Sequence, residues 1–215
     1  DEEAEQTNSI LEGAFPSEIV RPVTWSKDRK KVVISVSSSS NPGDYYYFDK
    51  ENMILTFLWD SSPWIDRSKL AKKEAIKYTA RDGLVVHGYL TIPLGTDGKN
   101  LPMVVHPHGG PNARDTMRYD SYVQFMANRG YVVFQPNFRG STGYGAYHYI
   151  SANKQFGKTM QDDITDGVNY LIDLGIADPD RIAIFGGSYG GYATMAGLAF
   201  TPDLYAAGIN YVGVV

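Results

Sequence analysis

The sequence predicts an α/β protein: a mostly parallel sheet with helices on both faces, preceded by a short antiparallel β segment. Three observations support this prediction. Residues 102–200 alternate apolar strand-like runs with amphipathic helical stretches, which is typical of a covered parallel sheet. Residues 31–59 hold three short β-rich runs separated by turn residues. With 43% hydrophobic residues among 215, the chain can bury a substantial core.

The first sixty residues are expected to be β structure. Strands are predicted over 31–37, 45–48 and 53–59. Two or three strands alone are marginally stable, so their apolar faces need a neighbour. A polar linker follows, with a short helical turn expected over 68–73. Domains are therefore predicted over residues 1–65 and 66–215.

The second region is expected to begin with a hairpin, residues 75–79 and 85–92, joined at Arg81-Asp82-Gly83. Further strands are predicted over 102–106, 131–136, 181–185 and 207–215. Helices are predicted to alternate with these strands over 119–129, 162–174 and 189–200. Because Asp162 and Asp163 would begin a helix, we interpret them as capping carboxylates and assign no metal site.

The segment Gly186-Gly187-Ser188-Tyr189-Gly190 has the spacing of a nucleophile elbow, between a predicted strand and a predicted helix. So tight a turn forces the serine into a strained conformation, and side chains at Gly186 and Gly190 would clash across it. Ser188 is therefore predicted to be an exposed nucleophile at a helix N-terminus, on an α/β-hydrolase scaffold. A structural turn with an incidental serine, or a phosphate-binding turn, remains an alternative.

A second glycine-rich segment, His106-Pro107-His108-Gly109-Gly110-Pro111, follows an apolar strand upstream of the elbow. In α/β-hydrolases the loop after the third core strand supplies one oxyanion-hole N–H, and the residue after the nucleophile supplies the other. We therefore expect the Gly110 and Tyr189 N–H groups to bind the oxyanion, with Gly109 as the neighbour that shares this role. His108 is expected to hydrogen-bond or line the substrate cleft rather than to act as the base.

Two arginines are further candidates. Arg114, next to Asp115, is interpreted as half of a paired loop brace, with contact to a substrate carboxylate as the alternative. Arg139 is expected to form a structural salt bridge.

Three strings resemble one family: HPHGGP at 106–111, NFRGSTGYG at 137–145 and DPDRIAIFGGSYGGYATM at 178–195. They are similar to the prolyl oligopeptidase family, and most similar to its acylaminoacyl-peptidase-like branch. The resemblance covers about residues 75–215. It implies a C-terminal peptidase domain behind a β-propeller that admits only short peptides, with residues 17–60 as the end of the last propeller blade.

The catalytic triad is incomplete in these 215 residues. A triad of this fold runs serine, then acid, then histidine along the chain. The residues after Ser188 contain one carboxylate, Asp203, and no histidine. All four histidines precede the serine: His87, His106, His108 and His148. His106 is expected to be a structural histidine, and no partner is foreseen for His87 or His148. The acid and base are therefore expected to lie beyond this sequence, and the chain alone is expected to be inactive.

The leading functional prediction is a serine peptidase that hydrolyses short peptides through an acyl-enzyme on Ser188. A carboxylic ester hydrolase of the same fold and a non-catalytic binding module are the alternatives. No cofactor is expected. The absence of cysteine excludes disulfides and thiolate chemistry.

Charge and hydropathy indicate which partners are not expected. The net charge of −4 comes without a basic stripe, so nucleic acid is not expected. The sequence contains no run of 18 or more apolar residues, so no membrane span is expected. The first residues do not form a signal peptide, which leaves cytoplasm and periplasm both open. A homo-oligomer is also left open.

Overall fold

The computed structural model describes residues 2–214, which form two compact units. The first comprises the residues up to Leu70 together with Arg118–Ser121, and the second comprises Ala71–Met117 and the residues from Tyr122 onward. The sequence predicted a division after residue 65 and did not predict the return at Arg118–Ser121.

The first unit is a four-stranded antiparallel meander that follows one helix. The helix is α1 (Glu2–Ala14), and the strands, in both sheet and chain order, are β1 (Ile19–Trp25), β2 (Lys31–Ser38), β3 (Asn41–Asp49) and β4 (Ile54–Asp60). Alternate residues of β2 point into its core, which also contains Leu11 of α1. The expectation that the first sixty residues are all β is thus wrong for residues 2–14. Sequence reasoning also missed β1 as a separate strand.

The second unit is built on a six-stranded mixed sheet with the order β10-β9-β7-β8-β6-β5. Its strands are β5 (Lys73–Thr79), β6 (Val85–Thr91), β7 (Leu101–Val105), β8 (Val132–Asn137), β9 (Ala177–Gly187) and β10 (Ala207–Tyr211). The predicted hairpin is present as the antiparallel pair β5–β6, and β6 also runs antiparallel to β8. The pairs β8–β7, β7–β9 and β9–β10 are parallel, as predicted.

Helices cover both faces of this sheet, which confirms the predicted α/β architecture. They are α2 (Ser121–Ala127), α3 (Ala146–Ile150), α4 (Thr159–Asp173) and α5 (Tyr189–Phe200). On β8, Phe134 packs in one cluster with Ile164 of α4, while the adjacent Val133 packs with Val123 of α2 on the opposite face. Among the helices of residues 2–214, none is long and apolar enough to cross a membrane.

Two local predictions are corrected. The helix expected to begin at Asp162 begins at Thr159, so Asp162 and Asp163 lie within α4 and do not cap it. Asp163 is fully buried against Arg139, and Asp162 pairs with Arg81. The helical turn expected over 68–73 is a single 3-10 turn at Arg67–Lys69.

The parallel strands bring the functional motifs to one edge. Strands β7, β8 and β9 run in the same direction, so the loops that follow Val105, Asn137 and Gly187 leave from the same edge of the sheet. In open α/β sheets, ligands bind at this carboxyl edge.

Candidate active site

Ser188 occupies the turn between β9 and α5. Its backbone has φ of 55° and ψ of −119°, a conformation that non-glycine residues rarely adopt. The side chain is exposed, and its hydroxyl makes no hydrogen bond to the described residues. Its N–H donates to the Tyr211 carbonyl of the adjacent strand, 3.0 Å away, which holds the turn against the sheet. The strained, exposed serine that the motif predicted is therefore present.

Glycines on both sides of the serine permit this turn. A methyl group built on Gly186 would collide with the backbone of Gly190, and one on Gly190 would collide with the carbonyl of Pro107. Both collisions involve backbone, which cannot move aside as a flexible side chain can. The predicted clash across the turn is confirmed for Gly186. A methyl group on Gly190 would instead meet the upstream glycine-rich segment, which therefore lies directly against the elbow.

The segment around Gly109 and Gly110, called the oxyanion loop below, passes beside the nucleophile. A methyl group built on Gly109 would lie 3.2 Å from the Gly187 carbonyl oxygen and 3.3 Å from Ser188 Cβ. The Gly110 N–H donates no hydrogen bond within the described residues. Tyr189 is the first residue of α5, and N–H groups of a first helical turn have no carbonyl partner within the helix. Within the described residues, both N–H groups thus remain free to donate.

His108 lies beneath the oxyanion loop. Its Nδ1 is 2.8 Å from the Gly109 carbonyl oxygen, and its Nε2 is 2.8 Å from Ser141 Oγ. Because a carbonyl oxygen only accepts, the ring proton belongs on Nδ1, and Nε2 faces the Ser141 hydroxyl. Burial lowers the pKa of His108 to about 4, so the ring is neutral at pH 7. Both nitrogens are therefore engaged by the protein's own atoms.

The Phe138 ring connects the two segments that carry the unpaired donors. It is fully buried and stacks on His108, with ring centroids 4.5 Å apart. It also packs against the Tyr189 ring, with centroids 5.3 Å apart. Sequence reasoning used Phe138 only as part of a family-like string, because nothing local indicates what a buried ring will contact.

The other histidines are engaged away from Ser188. His106 Nδ1 donates to the Phe185 carbonyl over 2.7 Å, in agreement with its predicted structural role. His148 Nε2 donates to the Phe138 carbonyl over 3.1 Å, and His87 stacks on Tyr144. The sequence indicated no partner for His87 or His148, and the structure supplies one for each.

The two candidate arginines have different surroundings. Arg139 forms the predicted structural salt bridge, with Asp163 at 2.6 Å and Asp82 at 2.7 Å. Arg114 is exposed, lies over Gly143, and forms no ion pair with Asp115. The brace in this loop instead runs through the Asn137 amide, which bonds the Asp115 N–H at 2.8 Å and its carbonyl at 3.2 Å. Substrate contact by Arg114 stays a prediction.

No three histidine or acidic side chains within residues 2–214 come together in a way that would hold a metal ion. At this edge of the sheet, the described residues present an exposed serine hydroxyl beside a glycine-rich loop.

This geometry defines the class: a nucleophile elbow beside a glycine-rich loop on an α/β-hydrolase sheet. The model of the prolyl oligopeptidase family matches residues 117–215, and the chain belongs to this family. It is 39% identical over 197 residues to dipeptidyl aminopeptidase BIII of Pseudoxanthomonas mexicana, covering 88% of this chain and 29% of that protein. It is 34% identical over 219 residues to dipeptidyl peptidase family member 6 of Caenorhabditis elegans, covering 92% and 30%. The chain thus spans about 30% of the length of these curated relatives.

Solved structures of peptidases are also similar to this chain. A puromycin-hydrolyzing peptidase of Mycobacterium tuberculosis superposes with a TM-score of 0.76 at 30% identity, covering 86% of this chain and 30% of that one. The acylaminoacyl peptidase of Pyrococcus horikoshii gives a TM-score of 0.73 at 28% identity, with the same coverage of each chain. The predicted fold class and family are confirmed.

Proposed function

We propose that this chain is the nucleophile-bearing part of a serine peptidase that hydrolyses short peptides. Ser188 Oγ attacks the substrate carbonyl, and the Gly110 and Tyr189 N–H groups donate to the resulting oxyanion. Expulsion of the amine leaves an acyl-enzyme on Ser188, which water then hydrolyses. The observation that carries the proposal is the strained, exposed Ser188 beside Gly109, where an added methyl group would lie only 3.3 Å from Ser188 Cβ.

The neutral His108 supports the proposed oxyanion site. Its Nδ1–H donates to the carbonyl of the Gly109–Gly110 peptide, and the N–H of that same peptide is the proposed oxyanion donor. A hydrogen bond to the carbonyl fixes the peptide plane and strengthens its N–H as a donor. His108 therefore acts on the oxyanion through the peptide and not as a base.

The base and the acid are proposed to come from residues beyond these 215. Each of the four histidines is held by a partner other than Ser188: His87, His106, His108 and His148. A serine hydroxyl without a base is a weak nucleophile. The chain as given is therefore proposed to be inactive, and a chain extended beyond residue 215, called the extended chain below, to be active.

A peptide substrate is favoured over an ester by the relatives, whose names specify peptidases acting on dipeptidyl or acylaminoacyl groups. The test compares peptide anilides with matched aryl esters on the extended chain, and uses mass spectrometry to look for acylated Ser188. A peptidase turns over both substrates. Turnover of the ester alone would replace the proposal with an esterase, and turnover of neither would favour a binding module.

A further inference from the structure

A buried ion pair fixes the loop that follows β8. The Asp163 carboxylate is fully buried on α4, and Arg139 is only 5% exposed. Asp163 Oδ2 accepts from both the backbone N–H and Nε of Arg139, each over 2.8 Å. Its Oδ1 accepts from Nη2 over 2.6 Å. Three donors of one residue therefore converge on one carboxylate, so both the backbone and the side chain of Arg139 are fixed.

Stability alone is a weak reason to bury such a pair. Removing two charges from water is costly, and well-packed apolar residues often stabilise a protein as well as a buried pair does. A second Arg–Asp pair joins the turn between β5 and β6 to α4. In this pair, called the surface pair because the Arg81 side chain is 53% exposed, Arg81 Nη2 lies 2.7 Å from Asp166. The buried pair differs from this surface pair because the residues next to Arg139 contact the segments that carry the proposed oxyanion donors.

The residues next to Arg139 hold the proposed oxyanion donors. Phe138 packs between His108 and Tyr189, and Ser141 Oγ lies 2.8 Å from His108 Nε2. Both donor segments thus contact the short loop that Arg139 anchors.

Two further hydrogen bonds join this loop to the oxyanion loop. Asn112 Nδ2 donates to the Gly140 carbonyl over 3.0 Å, and the Thr142 N–H donates to the Ala113 carbonyl over 2.9 Å. The oxyanion loop therefore has little freedom to move unless the anchored loop moves with it.

We propose that Arg139 and Asp163 are positioning residues for the oxyanion hole. Neither touches the substrate; the pair fixes the Phe138 ring and the Ser141 hydroxyl, which in turn place the Gly110 and Tyr189 N–H groups. This inference rests on the proposed function. Because oxyanion stabilisation depends on donors placed to within fractions of an ångström, releasing the pair should slow the chemical step and leave substrate binding nearly unchanged.

The main variant is Arg139→Met with Asp163→Leu in the extended chain. Removing both charges together avoids leaving one of them buried and unpaired. The matched control is Arg81→Met with Asp166→Leu, which removes the surface pair on the same helix. A milder variant, Arg139→Lys, keeps the positive charge and loses the planar fork, so it tests the proposal even where the double variant does not fold.

The double variant is expected to lower kcat about 100-fold with KM within about 3-fold of wild type. Its affinity for a peptide boronic acid, which mimics the tetrahedral intermediate, should weaken by the same factor as kcat/KM. Arg139→Lys should lose about 10-fold in kcat. The surface control should stay within about 2-fold of wild type.

An unchanged kcat in a folded Arg139→Lys or double variant would overturn the proposal. An equal loss in the Arg81 control would also overturn it, because any disturbance of α4 would then suffice. A wild-type extended chain that is inactive would instead refute the proposed function itself. If the wild-type extended chain is active and the Arg139 variants have the same kcat, only the positioning role of Arg139 and Asp163 is refuted.

Discussion

At the scale of single residues, the backbone conformation of Ser188 depends on the glycines at 186 and 190. The serine takes φ of 55°, and the glycines at 186 and 190 leave room for the backbone that this turn brings together. The motif alone was sufficient to predict this arrangement, because the spacing of glycines around a strand-to-helix turn has a steric cause. The contacts of His108 with Ser141 and Phe138 were not predictable, since they join segments about thirty residues apart.

Gly190→Ala should destabilise the second unit. Its new methyl group would collide with the Pro107 carbonyl, and one of the two segments would have to move. Overpacking of this kind costs about 1–3 kcal/mol, measurable as a lower free energy of unfolding in urea. Gly13→Ala is the control, because a methyl group there meets nothing within 4 Å. A cost below about 0.5 kcal/mol at Gly190 would contradict the packing described here.

His108 should titrate far below an ordinary histidine. Burial lowers its pKa to about 4, so its ring protons followed by NMR should show a midpoint near that value. In urea-unfolded chain the same resonance should titrate near 6.5. The folded state binds fewer protons between these values, so the contribution of His108 to stability is complete above pH 6.5 and is lost as the pH falls towards 4. A folded-state midpoint near 6.5 would show that the ring is not buried as described.

At the scale of elements, an arginine offsets a like-charge pair that faces across β3 and β4. Asp44 and Asp60 lie directly opposite each other across these strands, an arrangement that is unfavourable for like charges. Arg67 lies 2.7 Å from Asp44 and 2.8 Å from Asp60, so its single positive charge is shared by both carboxylates and reduces their repulsion. The 3-10 turn at Arg67–Lys69 therefore secures the end of the hairpin.

Arg67→Met should destabilise the first unit by about 1–2 kcal/mol at pH 7. The Arg67 hydrogen bonds hold the pKa of Asp44 below its usual 3.8. The stability linked to Asp44 is thus present above pH 3.8 and is lost as the pH falls through the lower folded-state pKa. The difference between wild type and variant, measured by urea unfolding, should therefore shrink in acid. The exposed Lys30–Glu51 pair provides the control, and Lys30→Met should behave like wild type. An equally large difference at pH 3 and pH 7 would contradict this account.

The sequence predicted the elements with strong local patterns and missed those without them. Alternating Val32, Ile34 and Val36 marked β2, and the buried run of β7 marked a core strand. The helix α1 was missed because its few apolar residues contribute little periodicity, and its stability depends on tertiary packing against β2. The N-terminus of α4 was misplaced because Asp162-Asp163 has the composition of a cap, while burial against Arg139 is a tertiary fact.

At the scale of the whole molecule, both sheets present apolar strand edges. In the second unit, β10 pairs only with β9 among the described residues, and Ile209 is 62% exposed. An exposed, apolar edge strand favours association with another chain. The candidate active site and this strand edge lie in the same unit. Activity of the isolated chain should therefore be measured under conditions in which it is monomeric.

The 215-residue chain is therefore expected to self-associate through β10. Ile209→Lys should shift sedimentation towards the monomer, because a charge on an edge strand opposes pairing. Leu94→Lys is a suitable control, since Leu94 is 55% exposed but lies in a turn. Equal effects of the two substitutions would mean that general surface charge, and not the strand edge, controls association.

Ser188 is proposed to be a nucleophile that is activated by groups outside these 215 residues. Labelling with a fluorophosphonate probe tests it most directly, on this chain and on the extended chain, each with Ser188→Ala as the control. Only the extended chain should be labelled, and Ser188→Ala should abolish that labelling. The 215-residue chain should react more slowly by about 10⁴-fold or more. A folded extended chain that resists the probe, or a 215-residue chain that labels equally fast, would contradict it.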